Sequence, residues 1–153
     1  MPGSVSLRAE VIDYLGGRFG VTEAALEPFL LQERHGEVWA ATCVVPTGIT
    51  LSRPAGLRAL RRQGSGLKPT SAFLILLGDA IRSNRAEVGS AGQLTSLLLG
   101  KDLPSSLSAG FVAVAFRGDV LGCGAVREGR LHALLPTGRK RELLEALEAE
   151  RAR

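Results

Sequence analysis

Residues 111–126 contain two apolar runs separated by one short polar turn, and this feature most restricts the fold. The sequence reads FVAVAF, then Arg117-Gly118-Asp119, then VLGCGAV. Glycine supplies the backbone dihedrals of a tight turn, and an aspartate side chain can accept hydrogen bonds from nearby backbone amides. The stretch therefore predicts a β-hairpin.

Six residues that carry or can acquire positive charge follow this hairpin closely. They are Arg127, Arg130, His132, Arg139, Lys140 and Arg141. A leucine stripe at helical spacing begins at about Lys140, so the last three cations fall at or just before the first turn of a helix. Cations there oppose the helix dipole, whereas an approaching phosphate is favoured by both the helix N-terminus and the side chains. The alternative is a solvated surface cluster.

The N-terminal part of the chain predicts two helices and a strand. Residues 5–15 have apolar residues at helical spacing, and Gly16-Gly17 is expected to end that helix. Thr22 is a predicted N-cap for a second helix with Leu26, Phe29 and Leu30 on one face, short or broken near Pro28. Residues 37–45 predict a strand.

The middle of the chain is less clearly patterned. Residues 57–62 fit a strand or a helical turn, and the run AFLILL at 72–77 does not decide between the two. Ser90 is a predicted N-cap for the next helix, with Gly100 just beyond its end. We expect the boundary between two units at 52/53, where the composition becomes basic.

Charge is unevenly distributed along the sequence. Residues 1–52 hold three Arg and six acids, residues 53–141 hold fourteen Lys or Arg and five acids, and the last twelve residues hold two Arg and four Glu. The basic middle segment indicates a polyanionic partner. Arg outnumbers Lys sixteen to three, which suits bidentate phosphate contacts but is also explained by genome composition or a hot habitat.

Several classes of protein are disfavoured. The start of the sequence lacks the order of a signal peptide, and no apolar run reaches the roughly 18 residues of a membrane span, so we expect a cytoplasmic protein with no membrane partner. The two cysteines, Cys43 and Cys123, lie in apolar runs and form no CxxC pair. No metal site, cofactor or catalytic arrangement is predicted, and we expect no enzyme activity.

Three longer segments carry a family resemblance. They are GLRALRRQGSGLKPTSAFLILL, SAGQLTSLLLGKDL and GFVAVAFRGDVLGCGAVREGRLHALLPTGRKREL, which together span about residues 56–143. In order, they resemble the C-terminal, PUA-like RNA-binding domain of the Sun-family RNA 5-methylcytosine methyltransferases. The preceding region, RFGV to WAATCVV, is similar to the small pre-PUA unit found beside PUA domains. The sequence contains no catalytic Pro-Cys motif, and we expect no methyltransferase domain.

The resemblance implies an α+β fold. It has a small α/β pre-PUA-like unit at 1–52, followed at 53–153 by a PUA-like mixed β-barrel with short helices and a C-terminal helix. It also implies a non-catalytic protein that binds structured RNA, either rRNA or tRNA, in RNA modification or ribosome biogenesis. The predicted RNA-binding residues are Arg130, Arg139, Lys140 and Arg141, with Arg127, Lys68, Lys101, Arg61, Arg62, Arg82 and Arg85 as further candidates.

A second hypothesis is a protein-interaction module. The acidic first segment is small and opposite in charge to the middle of the chain, which suits docking to a separate RNA methyltransferase or ribosome-assembly factor.

Overall fold

The computed structural model describes residues 6–52 and 54–153. They form helices and two β-sheets, a mixed α+β fold. The chain divides into two compact units, Met1–Ser83 and Asn84–Arg153, called here the first and second unit. Val5 and Arg53, which belong to predicted segments, lie outside the described residues. Over the described residues we find no helix with both the length and the apolar character needed to cross a bilayer.

The first unit begins with two helices that are capped as the sequence predicts. In chain order the elements of this unit are α1 (Leu7–Phe19), α2 (Glu23–Leu26), β1 (Leu30–Arg34), β2 (Glu37–Ala41), β3 (Leu57–Gln63), β4 (Gly66–Pro69) and α3 (Ser71–Leu77), followed by a 3₁₀ turn at Gly78–Ala80. The Thr22 hydroxyl accepts a hydrogen bond from the Ala25 amide, which confirms Thr22 as the N-cap of α2. The helix α2 ends before Pro28, as expected.

The expected end of α1 at Gly16-Gly17 is wrong. The helix continues to Phe19 and stops before Gly20, whose φ is +66°. Glycine lowers helix propensity by about 1 kcal/mol, but three apolar side chains at a spacing of four residues are fully buried along this helix. They are Val11, Leu15 and Phe19. Their packing outweighs the local preference of the two glycines.

Four antiparallel strands form the first sheet, in the order β1-β2-β3-β4. Leu30 belongs to β1, so its placement on a helix face with Leu26 is wrong. The strand predicted at 37–45 is shorter, because β2 ends at Ala41. The ambiguous segment at 57–62 is the strand β3, and AFLILL forms most of α3, where the Thr70 hydroxyl accepts from the Phe73 amide.

The compact units do not divide where the composition changes. Strand β3 pairs with β2 and β4 pairs with β3, so residues beyond 53 complete the first sheet. Counted by compact unit, the first holds nine Lys or Arg and seven acids, and the second holds ten and eight. Each unit is therefore only mildly basic, and net charge alone does not locate a binding surface.

The second unit is built on a five-stranded sheet in the order β5-β7-β8-β9-β6, in which β5 is parallel to β7 and the other neighbours are antiparallel. In chain order its elements are β5 (Arg85–Val88), α4 (Ala91–Leu98), β6 (Leu103–Pro104), β7 (Gly110–Phe116), β8 (Asp119–Arg127), β9 (Arg130–Ala133) and α5 (Thr137–Arg151). Strands β7 and β8 confirm the predicted hairpin. Arg117 and Gly118 both have positive φ, as a two-residue hairpin turn requires.

The core of the second unit includes residues from its sheet and from α4. The Ser90 hydroxyl caps α4 by accepting from the Gln93 amide, and Gly100, with φ +95°, follows its end as predicted. Three leucines of α5 pack against the same core: Leu143, Leu144 and Leu147. This packing fixes the start of α5, and with it the three adjacent cations, on the body of the unit.

Candidate nucleic-acid interface

The start of α5 presents cations and a helix N-terminus together. Pro136 occupies the N-cap position and makes no side-chain capping bond, whereas α1 to α4 are each capped by a Ser or Thr hydroxyl. Lys140 is half-buried and Arg141 is exposed, and neither side chain has a partner among the described residues. Backbone N–H groups and unpaired cations at one place favour an anion.

Arg139 differs from its two neighbours because its guanidinium is partly engaged. Its Nε donates to the backbone oxygen of Leu121 at 3.3 Å, and its NH1 lies 3.5 Å from the Glu142 carboxylate. These contacts tie the first turn of α5 to the start of β8. Arg139 therefore contributes to positioning the helix end, while Lys140 and Arg141 extend from it.

A second group of cations surrounds the turn between β8 and β9. Arg127 and Arg130 are direct Cα partners on either side of this turn. Like charges opposite each other destabilise a hairpin. Arg127 is exposed and has no side-chain partner in the described part of the chain, and Arg130 donates to the backbone oxygen of Asp102 at 3.1 Å. Lys101, also exposed and without a side-chain partner, precedes Asp102.

The two cation groups lie toward opposite ends of β8. The α5 group, Arg139, Lys140 and Arg141, is attached to β8 by the bond from Arg139 to the Leu121 oxygen. The turn group, Arg127, Arg130 and Lys101, begins at Arg127, at the end of that strand. Six residues of extended strand separate these positions by roughly 20 Å. The cations that follow one another in sequence therefore form two patches instead of one.

The remaining predicted cations are placed differently. Arg85 is largely buried and pairs with Glu87. Its guanidinium donates to the backbone oxygen of Gly118 at 3.0 Å, and this bond holds the β7–β8 turn. Lys68 is half-buried on β4, and Arg82 is exposed beyond the 3₁₀ turn with no side-chain partner among the described residues. Arg61 lies 3.4 Å from Glu37.

Arg62 is the centre of an ion-pair network within the first unit. Its guanidinium donates to both oxygens of Glu10 on α1, at 2.8 and 2.7 Å, and to both oxygens of Glu33 on β1, at 2.9 and 2.6 Å. These bonds connect α1, β1 and β3. The carboxylates raise the pKa of Arg62, and the hydrogen bonds from Arg62 hold the pKa of Glu10 and of Glu33 below the ordinary 4.5. This arrangement supports a structural role for Arg62.

We expect an Arg62→Gln variant to be less stable by roughly 1 kcal/mol at neutral pH, because it leaves two neighbouring carboxylates facing each other. A carboxyl group whose pKa is lower in the folded state than in the unfolded state stabilises the fold when the pH is above its unfolded-state pKa. This stabilisation is lost as the pH falls through its folded-state pKa. Wild-type stability should therefore drop below about pH 4.5 more steeply than that of the variant. Urea unfolding from neutral pH to about pH 3 measures this, with Arg34→Gln on β1 as the control. Equal acid sensitivity in wild type and Arg62→Gln would contradict the assigned network.

One contact near the turn group was missed by sequence reasoning. His132 Nδ1 lies 2.7 Å from Asp102 Oδ1. The pairing of β6 with β9 brings the two residues together. No local pattern in the sequence predicts this contact. Elsewhere among the described residues, no group of three or more His, Cys, Asp or Glu side chains converges to hold a metal ion.

No protein-family model and no curated protein matches this chain. The unpaired cations and their placement are therefore what supports a function.

Proposed function

We propose that this protein is a non-catalytic, cytoplasmic RNA-binding protein that holds structured RNA, either rRNA or tRNA, in RNA modification or ribosome biogenesis. The observation that carries the proposal is the contrast between paired and unpaired cations. On β3 of the first unit, Arg58, Arg61 and Arg62 all contact glutamates. In the second unit, Lys101, Arg127, Lys140 and Arg141 contact no carboxylate among the described residues.

The placement of charge on α5 supports the same proposal. Arg139, Lys140 and Arg141 lie in its first two turns, and its first turn contains no acid. Each such cation opposes the helix dipole by about 0.3–1 kcal/mol when poorly screened. A bound phosphate reverses that penalty, because it interacts favourably with the side chains and with the N-terminal amides. An anionic partner explains a charge arrangement that costs the isolated helix stability.

The PUA-like architecture is part of the proposal. The mixed sheet of the second unit and its short helix α4 support it. The division into a pre-PUA-like unit at 1–52 and a PUA-like domain at 53–153 stays a prediction beside the compact units. Few aromatic side chains are present, at 5% of the sequence, so recognition rests on phosphates and helix shape instead of base stacking.

Fluorescence anisotropy with folded tRNA, an rRNA fragment and duplex DNA tests the proposal. We expect tighter binding to folded RNA than to DNA. Four or five phosphate contacts should give a log–log slope of affinity against salt of about −3 to −5. Weak binding to all three nucleic acids without preference would contradict the proposal.

A second candidate function is docking of a protein helix, favoured by a groove in the second unit. The groove has a volume of ≈ 610 Å³ between α4 and α5, and its walls include Ala91, Gly92, Thr95, Leu99, Leu144 and Leu147. Glu148, Glu150 and Arg151 line the α5 side of the groove. Glu148 pairs with Arg151 at 3.1 Å and Glu150 pairs with Arg117 at 2.7 Å. The apolar walls suit the apolar face of an amphipathic helix, carried by an RNA methyltransferase or a ribosome-assembly factor.

A nuclease-treated pull-down with the wild type and with Leu99→Asp tests this second candidate. Leu99 is 66% exposed, so the substitution changes the groove without opening the core. Recovery of one stoichiometric partner by the wild type alone supports docking in the groove. Loss of every partner on nuclease treatment, or equal recovery by Leu99→Asp, contradicts it.

A further inference from the structure

Asp102, just before β6, is contacted by two residues of β9. Its carboxylate oxygen Oδ1 is 2.7 Å from His132 Nδ1, and its backbone oxygen accepts from the Arg130 guanidinium at 3.1 Å. The side chains of His132 and Asp102 are 37% and 35% exposed. The histidine and the arginine therefore converge on one residue at the surface.

Arg130 and His132 are two residues apart on β9, so their side chains lie on the same face of the sheet. Leu131 between them is buried in the core cluster on the other face. Arg127 of β8 is the direct partner of Arg130 and shares its face. Three side chains that carry or can acquire positive charge are thus grouped beside the β8–β9 turn.

The protonation state of His132 sets the charge of this group. Bonding of Nδ1 to Asp102 leaves Nε2 as the free ring nitrogen, and Nε2 has no partner among the described residues. With a neutral imidazole, the Asp102 carboxylate keeps its negative charge beside Arg130. With an imidazolium, the pair is neutral and Nε2 becomes a second N–H donor.

The charged groups around His132 come from three directions. Asp102 and the neighbouring Lys101 lie beside β6, and Arg130 lies on the same strand. Arg127 ends β8 and is followed by the exposed Glu128 in the β8–β9 turn. The residue directly opposite His132 on β8 is the apolar Ala125. Asp102 is therefore the anion that faces the ring, and protonation of His132 cancels it.

The geometry points to a protonation-dependent phosphate contact, in which the His132 imidazolium, held by Asp102, joins Arg127 and Arg130 in binding the RNA backbone. This inference rests on the proposed RNA binding and adds its regulation. Histidine is the side chain whose charge changes in the physiological pH range, so the contact is gained as the pH falls and lost as it rises. RNA held at the turn group is bound more tightly in mildly acidic conditions.

The test is fluorescence anisotropy with folded tRNA at low salt, at about pH 5.5 and about pH 8, on either side of the ordinary histidine pKa. We expect the wild type to bind about five-fold more tightly at the lower pH, which corresponds to one exposed ion pair. The log–log salt slope should be steeper there by about one unit, for one further phosphate contact.

The test variant and its control carry the same substitution, histidine to asparagine, at the two histidines of the chain. His132→Asn keeps a side-chain donor near Asp102 but cannot titrate, and should lose the pH dependence. His35→Asn should retain it, because His35 lies in the β1–β2 turn of the first unit and asparagine tolerates its φ of +53°.

The outcomes separate this inference from the function on which it rests. Wild-type protein that binds no RNA at either pH overturns both. Wild-type protein that binds folded RNA with the same affinity at both pH values, or a His132→Asn variant with the wild-type pH dependence, overturns the histidine contact and leaves the proposed function standing.

Discussion

The double variant Lys140→Glu/Arg141→Glu should bind folded RNA about a hundredfold more weakly than the wild type. Each lost charge-assisted hydrogen bond to phosphate is worth about 1.5 kcal/mol, and two correspond to that factor. Stability should change little. Glutamates near the start of α5 favour the helix dipole by about 0.3–1 kcal/mol each at most, but a glutamate at position 141 repels Glu145 four residues further on, which offsets that gain.

A large loss of affinity with little change in stability distinguishes loss of a binding surface from loss of the fold. Arg139 is left intact, because its bond to the Leu121 oxygen anchors the helix. The matched control is Arg151→Glu/Arg153→Glu, which makes the same change in net charge at the other end of α5. The two pairs are about eleven residues apart, roughly 16 Å at the helical rise, which is beyond the Debye length at physiological salt. An equal loss of affinity in both variants would show that total charge, and not the start of α5, determines binding.

The features that the sequence predicted correctly are local ones. The hairpin of β7 and β8 follows from an apolar run, an Arg-Gly turn and a second apolar run. Thr22 and Ser90 cap their helices because the hydroxyl reaches an amide three residues away. Such contacts are encoded within a few residues, so the pattern alone suffices.

The features that the sequence missed depend on partners distant along the chain. Arg62 resembles its neighbours in a basic segment, yet its guanidinium is held by Glu10 and Glu33. Only the pairing of β3 into the first sheet shows this. The same reasoning applies to Asp102, whose carboxylate contacts His132 because β6 pairs with β9.

The sequence indicates only part of how the candidate RNA-binding residues are arranged. Sequence proximity suggested one charged edge from Arg127 to Arg141. Because β9 runs back along β8, the chain carries the later cations to the opposite end of that strand. Two patches toward opposite ends of β8 suit contacts to separate phosphates of a folded RNA better than a single compact site does.

Gly56→Ala should destabilise the protein by about 3 kcal/mol or more, because it combines an unfavourable backbone with a direct clash. Gly56 has φ +91°, and a Cβ there would clash with the backbone oxygen of Ala40. That oxygen belongs to β2 where it pairs with the start of β3, through Ala40 and Leu57. Relief of the clash requires the two strands to separate at this end, which opens the centre of the first sheet.

Gly48→Ala in the same loop is the matched control for that change. Gly48 has nearly the same φ, +89°, but a Cβ there would meet nothing within 4 Å. Its cost should be limited to backbone strain, about 1–2 kcal/mol. Urea unfolding of both variants isolates the contribution of the contact, since the strain term is common to them. Equal losses would show that the β2–β3 junction yields to the added methyl group, and that the close approach at Ala40 does not determine the pairing of the sheet.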